Sequence, residues 1–277
     1  MRIALLQASA TPLDPEANLA AIRTAATDAK RAGAELLLTP ELFVTGYAPA
    51  ELAEWLSAER VDGIPSALAS IARETGVAIA AGFPLAREDG TFAIAAGLWD
   101  AAGDDVLRYE KVHLWGADER LAFTPAADPP RIADWNGRRV AFQICYDIEF
   151  PEPARFAAAN GADLLLVPTA IDGDSAYVPE LLVRARAAEN RIVVAYADHA
   201  GGIFAGLSVV AGFEGAVLGA SGADPELLIV DVPDPEASDP ERPSVGAGAL
   251  YLQDRRPEVY AGWRSADRPR RTAPSRS

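Results

Sequence analysis

A lone thiol, a few acids and one lysine are the residues of this chain whose types and spacing could do chemistry. Cys145 is the only cysteine, and it stands where the apolar run Val140-Ala141-Phe142-Gln143-Ile144 breaks into Tyr146-Asp147-Ile148-Glu149. The run reads as a buried strand, and Phe150-Pro151-Glu152 reads as a helix start with Pro at its first position. The thiol is therefore expected at a strand-to-helix elbow on the carboxyl edge of a sheet, where open α/β folds place ligands. It has no disulfide partner within the chain, so it is either a core filler or a nucleophile. A nucleophilic thiol needs a base, and a carboxylate in a dry cleft can have its pKa raised enough to serve. Glu41, just past a Leu-rich strand, is the candidate base, and Lys111, at the end of a hairpin strand, is a candidate cation for an oxyanion. Singly, each has another reading: Glu41 as a helix cap, Lys111 as a surface charge, Cys145 as core. His113 would share a strand face with Lys111 and is a rival base of the Cys–His kind. His199, beside Gly201-Gly202, reads as a loop residue.

The elements that must position these groups show an internal echo. Gly33-Ala34-Glu35-Leu36-Leu37-Leu38-Thr39-Pro40 returns as Gly161-Ala162-Asp163-Leu164-Leu165-Leu166-Val167-Pro168. Each copy follows a helical stretch, and each of those follows an apolar strand (Ile3 to Gln7, and Val140 to Ile144). Asp14-Pro15-Glu16 caps the first helix, and Gly161 closes the second. Two strand–helix–strand units with parallel strands and right-handed crossovers are expected, an α/β fold with two similar halves. Between them lie a helix from about Pro65 to Glu74, a strand from Val77 to Ala81, and a hairpin of Phe92 to Asp100 with Val106 to Val112. Helix is expected again from Val178 to Asn190, strand from Ile192 to Ala197, and a hairpin from Ser208 to Leu218. Pro233 to Pro243 reads as an acidic connection to an arm around Ala249-Leu250-Tyr251-Leu252. One domain over residues 1–263 is the economical reading, with 264–277 a basic, disordered tail.

Composition narrows the function classes. Half of the 277 residues are hydrophobic, enough for a substantial core, while Pro, Gly or charge interrupts every run before it reaches membrane-span length. A net charge of −15 repels nucleic acid and anionic lipid, so neither is expected as a partner. Two histidines and one cysteine are too few for structural zinc, and Asp172-Gly173-Asp174 lacks the ligand spacing of a calcium loop, so no metal is expected. No Gly-x-Ser-x-Gly elbow is present to support a serine hydrolase. One cysteine without a disulfide framework suits a cytoplasmic setting, and the apolar stretch after Arg2 is too short for a signal core.

Three strings together carry a resemblance. Pro40-Glu41-Leu42-Phe43-Val44-Thr45-Gly46-Tyr47, Tyr109-Glu110-Lys111-Val112-His113-Leu114 and Ile144-Cys145-Tyr146-Asp147-Ile148-Glu149-Phe150-Pro151-Glu152 resemble the signature blocks of the nitrilase superfamily of carbon–nitrogen hydrolases. The resemblance runs from Met1 to about Tyr260. It implies a four-layer α-β-β-α sandwich that usually dimerises, and a Glu–Lys–Cys triad that works without a cofactor. It implies Cys145 as nucleophile, Glu41 as the proton-transferring base, and Lys111 with the backbone N–H of Tyr146 as oxyanion donors. It also implies Glu119, a few residues past the lysine, as a substrate-positioning acid.

Substrate is where the strings diverge from their relatives. The family's asparagine after Pro-Thr-Ala is Ile171 here, Trp115 replaces a usual Phe, and the late hairpin lacks its Pro before Gly215. Tyr146-Asp147-Ile148-Glu149 lacks the arginine that holds the carboxylate of N-carbamoyl amino acids, and Tyr146 stands where nitrile-cleaving members carry Trp. The closest likeness is to aliphatic amidases of the 5-aminopentanamide and amino-acid amide kind, so hydrolysis of a small aliphatic amide is expected. Nitrile or N-carbamoyl hydrolysis by the same triad, and a non-catalytic binding role, are the alternatives. Trp115, Asp172 and Asp174, with Asp198 nearby, are candidates for the pocket rim; the aspartates either solvate loops there or make a negative rim that would favour a distal ammonium.

Overall fold

A computed structural model describes residues 1–234 and 251–263. The tail expected from Arg264 onward and most of the connection begun at Pro233 lie outside the described residues. The first half runs β1 (Arg2–Gln7), α1 (Pro15–Arg31), β2 (Leu36–Leu38), α2 (Pro49–Trp55), α3 (Ala58–Val61) and α4 (Ile64–Thr75). It continues through β3 (Ala78–Ala86), β4 (Phe92–Trp99) and β5 (Asp105–Glu110). The second half runs α5 (Gly116–Ala122), β6 (Ile132–Trp135), β7 (Arg138–Phe142), α6 (Pro151–Ala159) and β8 (Leu164–Pro168). It ends with α7 (Val183–Asn190), β9 (Val193–Ala197), β10 (Val209–Ala211), β11 (Val217–Ala220), β12 (Glu226–Asp231) and α8 (Pro257–Tyr260). The first helix starts as its sequence dictates, the Asp14 carboxylate accepting the N–H of Ala17 at 3.0 Å ahead of Pro15.

The echo is structural. Strands β1, β2 and β3 are parallel, and β4 and β5 are added antiparallel. In the second sheet β7, β8 and β9 are parallel, and β10 and β11 are added antiparallel in the same order. Even single bonds repeat: Glu35 N–H donates to Arg2 O and Asp163 N–H to Arg139 O, both at 2.9 Å. Each sheet gains one further antiparallel edge strand, β12 on β1 and β6 on β7.

Strand alternation then sets the layers. Ala4, Leu6, Leu37, Ile79 and Ala81 pack with Ile22, Ala26, Leu68 and Ile71 of α1 and α4. Ile3, Leu5, Leu36, Leu38, Ala78 and Ala80 face the other way, into a core shared with the second sheet. On the far face of that sheet, Ala154, Ala157, Val183 and Ala187 of α6 and α7 join the same core. The result is the α-β-β-α sandwich, in which the carboxyl ends of both parallel strand sets meet. There Glu41 N–H donates across the sheets to Thr169 O at 3.1 Å.

Candidate active site

Cys145 follows β7 and opens a 3₁₀ turn, Cys145–Glu149, that leads into α6 behind Pro151. Its φ of +46° lies in the left-handed region, which costs a residue with a Cβ on the order of 1–3 kcal/mol. The surroundings hold that strain in place through the buried Asp147. Its carboxylate accepts Ile144 N–H at 3.2 Å, Tyr109 O–H at 2.8 Å, His113 N–H at 2.9 Å and lies 2.8 Å from His113 Nδ1. Tyr109 and His113 flank Lys111, so one carboxylate ties the lysine strand to the cysteine elbow. His113 stacks on Phe150 and is occupied by Asp147. The alternation expected to aim it with Lys111 fails because β5 ends at Glu110.

Glu41 is followed by turns rather than a helix, so it caps nothing. Its backbone is wedged against β3, where a Cβ on Gly82 would come within 2.8 Å of Pro40 O and Leu42 N; only glycine admits that approach. From the other side His199 Nε2–H donates to Glu41 O at 2.7 Å. Burial lowers the His199 pKa to about 4, which keeps the ring neutral. His199 lies in a loop after β9, as its neighbouring glycines suggest, but that loop is buried and the ring stacks between Phe43 and Phe204.

Lys111 lies beneath the elbow with its side chain fully buried, not on the surface. Its Nζ donates to Glu41 Oε1 at 2.7 Å and to Glu119 Oε1 and Oε2 at 2.8 and 3.0 Å. Glu119 also accepts Tyr47 O–H and Trp115 N–H, both at 2.7 Å. Burial works against the ammonium, but Glu41, Cys145 and Glu119 outweigh it and raise the Lys111 pKa, so it stays charged. Burial pushes the Glu41 carboxyl up to about 8, with Lys111 opposing and Glu119 adding to the rise. Burial and then the Glu41 charge raise the Cys145 thiol, while Lys111 lowers it. Glu41 Oε2 is buried without a hydrogen-bond partner among the described residues, an acceptor left free for a proton. A free carboxylate acceptor, a fixed ammonium and a thiol in one dry cluster can perform acyl transfer.

Above them opens a small, partly enclosed cleft. Cys145, Tyr146, Trp115 and Asp172 line it, together with Tyr47, Glu149, Phe204 and Ile203. Two rim expectations fail. Asp174 is exposed and absent from the lining. Asp198 points inward, fully buried, where its Oδ1 accepts Ile171 N–H at 3.1 Å and His199 N–H at 2.8 Å. Tyr47 and Glu149, both inside the quoted strings, were not singled out as lining residues. The hydroxyl of Tyr47 against an acid 72 residues away leaves no local signal.

A family model of carbon-nitrogen hydrolases matches residues 2–238. The fold is similar to a structure described as the C145A mutant of the amidase from Nesterenkonia sp. AN1 in complex with butyramide. Identity is 45% and the TM-score 0.87, covering 95% of this chain and 97% of that one. The E41Q mutant of the same amidase, showing the result of Michael addition of acrylamide at the active site cysteine, is 45% identical with a TM-score of 0.86, covering 95% and 99%. A protein of Pseudomonas protegens described as "Hydrolase in pqqF 5'region" is 39% identical, covering 94% of this chain and 90% of that protein. An (R)-stereoselective amidase of Pseudomonas sp. is 32% identical, covering 84% and 85%.

Proposed function

The chain belongs to the carbon-nitrogen hydrolase family, the nitrilase superfamily, and from that premise we propose that it hydrolyses a small aliphatic amide to the carboxylic acid and ammonia. Glu41 takes the Cys145 proton as Sγ bonds to the amide carbon. Lys111 and the Tyr146 N–H, at the first turn of the elbow where backbone donors lack intrahelical acceptors, hold the resulting oxyanion. The tetrahedral species collapses as Glu41 returns the proton to nitrogen, expelling ammonia and leaving a thioester. Water then donates a proton to Glu41 as its oxygen attacks the thioester carbon. The second collapse releases the acid, and Sγ regains its proton. Glu119 positions the ammonium and, through it, the substrate oxygen.

The observation that carries this reading is the buried Lys111, bonded to both Glu41 and Glu119 beside the chain's only thiol. A lone buried ammonium is prohibitively costly, and stability alone is served as well by apolar packing, so so polar a cluster suits a chemical task. The relatives' butyramide complex and acrylamide adduct support an amide as substrate. Ammonia release from butyramide, butyronitrile and an N-carbamoyl amino acid tests it. The amide should be consumed fastest; preference for the nitrile, or no ammonia from any, overturns the reading.

Residues 1–263 act in this proposal as one catalytic domain working as a homodimer in the cytoplasm. Phe156 of α6, Leu181 before α7, and Tyr260 and Trp263 expose apolar surface. The Tyr260 segment lies near Arg155 of α6, the neighbour of Phe156 in sequence. An apolar surface of that kind is better buried than solvated. Among the described residues no helix is long and apolar enough to cross a membrane.

A further inference from the structure

We propose that the Thr169 hydroxyl donates a hydrogen bond to the Cys145 sulfur whenever that sulfur carries negative charge; this adds a residue to the machinery and rests on the amidase reading. Thr169 follows β8 on the carboxyl edge of the second sheet and is fully buried. Its carbonyl accepts Glu41 N–H at 3.1 Å, and its own N–H donates to Ala197 O at 2.9 Å. The next carbonyl along, Ala170 O, accepts the Cys145 thiol at 3.6 Å. The backbone that seats Glu41 therefore also brings Thr169 to the sulfur. Burial, then Glu41, raises the thiol pKa, while the Lys111 charge and a hydrogen bond from the Thr169 side chain lower it. Lys111 acts on the sulfur through charge, since its Nζ bonds run to Glu41 and Glu119.

The other side of the hydroxyl is prepared for this donation. Thr169 Oγ1 lies 3.1 Å from the hydroxyl oxygen of Tyr196, and both side chains are fully buried. Burial holds the phenol pKa well above its ordinary value, so Tyr196 keeps its proton. Each hydroxyl can donate one hydrogen bond and accept others. While the sulfur is a thiol, Thr169 O–H donates to Tyr196. Once it is a thiolate, Thr169 turns its proton to Sγ and accepts from Tyr196 O–H, so neither buried oxygen is left unmatched. No proton leaves either residue. Stability does not account for the pair, because apolar groups of the same shape would serve a core nearly as well.

The sulfur is charged twice per turnover, when Glu41 takes its proton and when the thioester collapses. A hydrogen bond to a charged atom shifts an equilibrium, here the thiolate fraction, by roughly tenfold to a hundredfold. The same bond makes the thiolate less nucleophilic, with a Brønsted slope of about 0.4–0.5. On a logarithmic scale about half of the advantage survives, so about threefold to tenfold of the rate should depend on the hydroxyl.

Alkylation by iodoacetamide, a small reagent of amide shape, reads the thiolate directly, because Cys145 is the only cysteine. The titratable groups that face the sulfur, namely Glu41, Lys111, Glu119, Tyr47 and Tyr196, are the same in every variant. Thr169→Val should slow alkylation about threefold to tenfold at neutral pH and move the rate–pH curve to higher pH, with kcat/KM for butyramide falling in parallel. Thr169→Ser, which keeps the hydroxyl, should recover most of both losses. If the valine variant does not fold, Thr169→Ala against Thr169→Ser makes the same comparison, since those two differ by the hydroxyl alone. Parent-like alkylation without the hydroxyl, or a serine variant as slow as the hydroxyl-free one, overturns the inference and leaves the amidase reading standing. Absence of ammonia from butyramide in the parent overturns the amidase reading, and the alkylation series then decides the role of Thr169 by itself.

Discussion

Replacing Glu41 by Gln should stabilise the protein, and the gain should depend on pH. In the fold the carboxyl titrates at about 8, against an ordinary value of 4.5. Between those values the unfolded chain releases its proton before the folded one does, so the folded state holds more protons and stability falls as pH rises. The loss starts near pH 4.5 and is complete above about pH 8. At ~1.4 kcal/mol per pH unit, that gap is worth at most about 5 kcal/mol. Gln is nearly isosteric with the protonated acid and can still accept from Lys111, so it should escape this cost. The Glu41→Gln and parent proteins should thus melt together near pH 4.5 and diverge through neutrality. At ~2–4 °C per kcal/mol, the variant should gain on the order of 10 °C by pH 8.5. Thermal melts of both proteins in half-unit pH steps provide the assay. A gap that stays constant with pH, or a variant that loses ground as pH rises, would refute the burial argument for Glu41.

Kinetics should rank the two candidate bases: Glu41→Gln should lower kcat by ~10²–10⁴, while His113→Asn, bound to Asp147 away from the thiol, should cost far less. In the parent enzyme kcat/KM should climb with pH until about 8, as the Glu41 carboxyl loses its proton. The negative charge of Glu119 helps hold that pKa up, so Glu119→Gln should move the acid limb to lower pH; movement upward would contradict the assignment. Light scattering at micromolar concentration should give a dimer or larger, and Phe156→Glu with Leu181→Glu should weaken it; a monomeric parent would refute the assembly.

How much of this was legible beforehand follows from what each residue's signal depends on. Both echo strands announce themselves by unbroken Leu runs between Gly and Pro, so the two halves could be matched before any coordinate was known. Glu41, Lys111 and Cys145 sit at or just past strand ends, and strand ends are readable from where apolar runs stop. Strand β12 was not foreseen, since Glu226–Asp231 pairs with β1 from the opposite end of the chain. The rim was half legible. Asp172, Asp174 and Asp198 look alike in sequence, yet only Asp172 lines the cleft, because backbone N–H groups of Ile171 and His199 draw Asp198 inward. Glu149 is aimed by the pitch of a 3₁₀ turn where only a helix start was expected. The partnership of Tyr47 with Glu119 depends on tertiary closure alone.

The central claim is that Cys145 carries the acyl group. Intact-protein and peptide mass spectrometry after rapid quench with butyramide tests it directly, alongside ammonia release. The account predicts a butyryl adduct on the Cys145 peptide, one ammonia per acyl group formed, and neither in a folded Cys145→Ala variant. Steady ammonia release by that variant, or an acyl mass on any other residue, would contradict it.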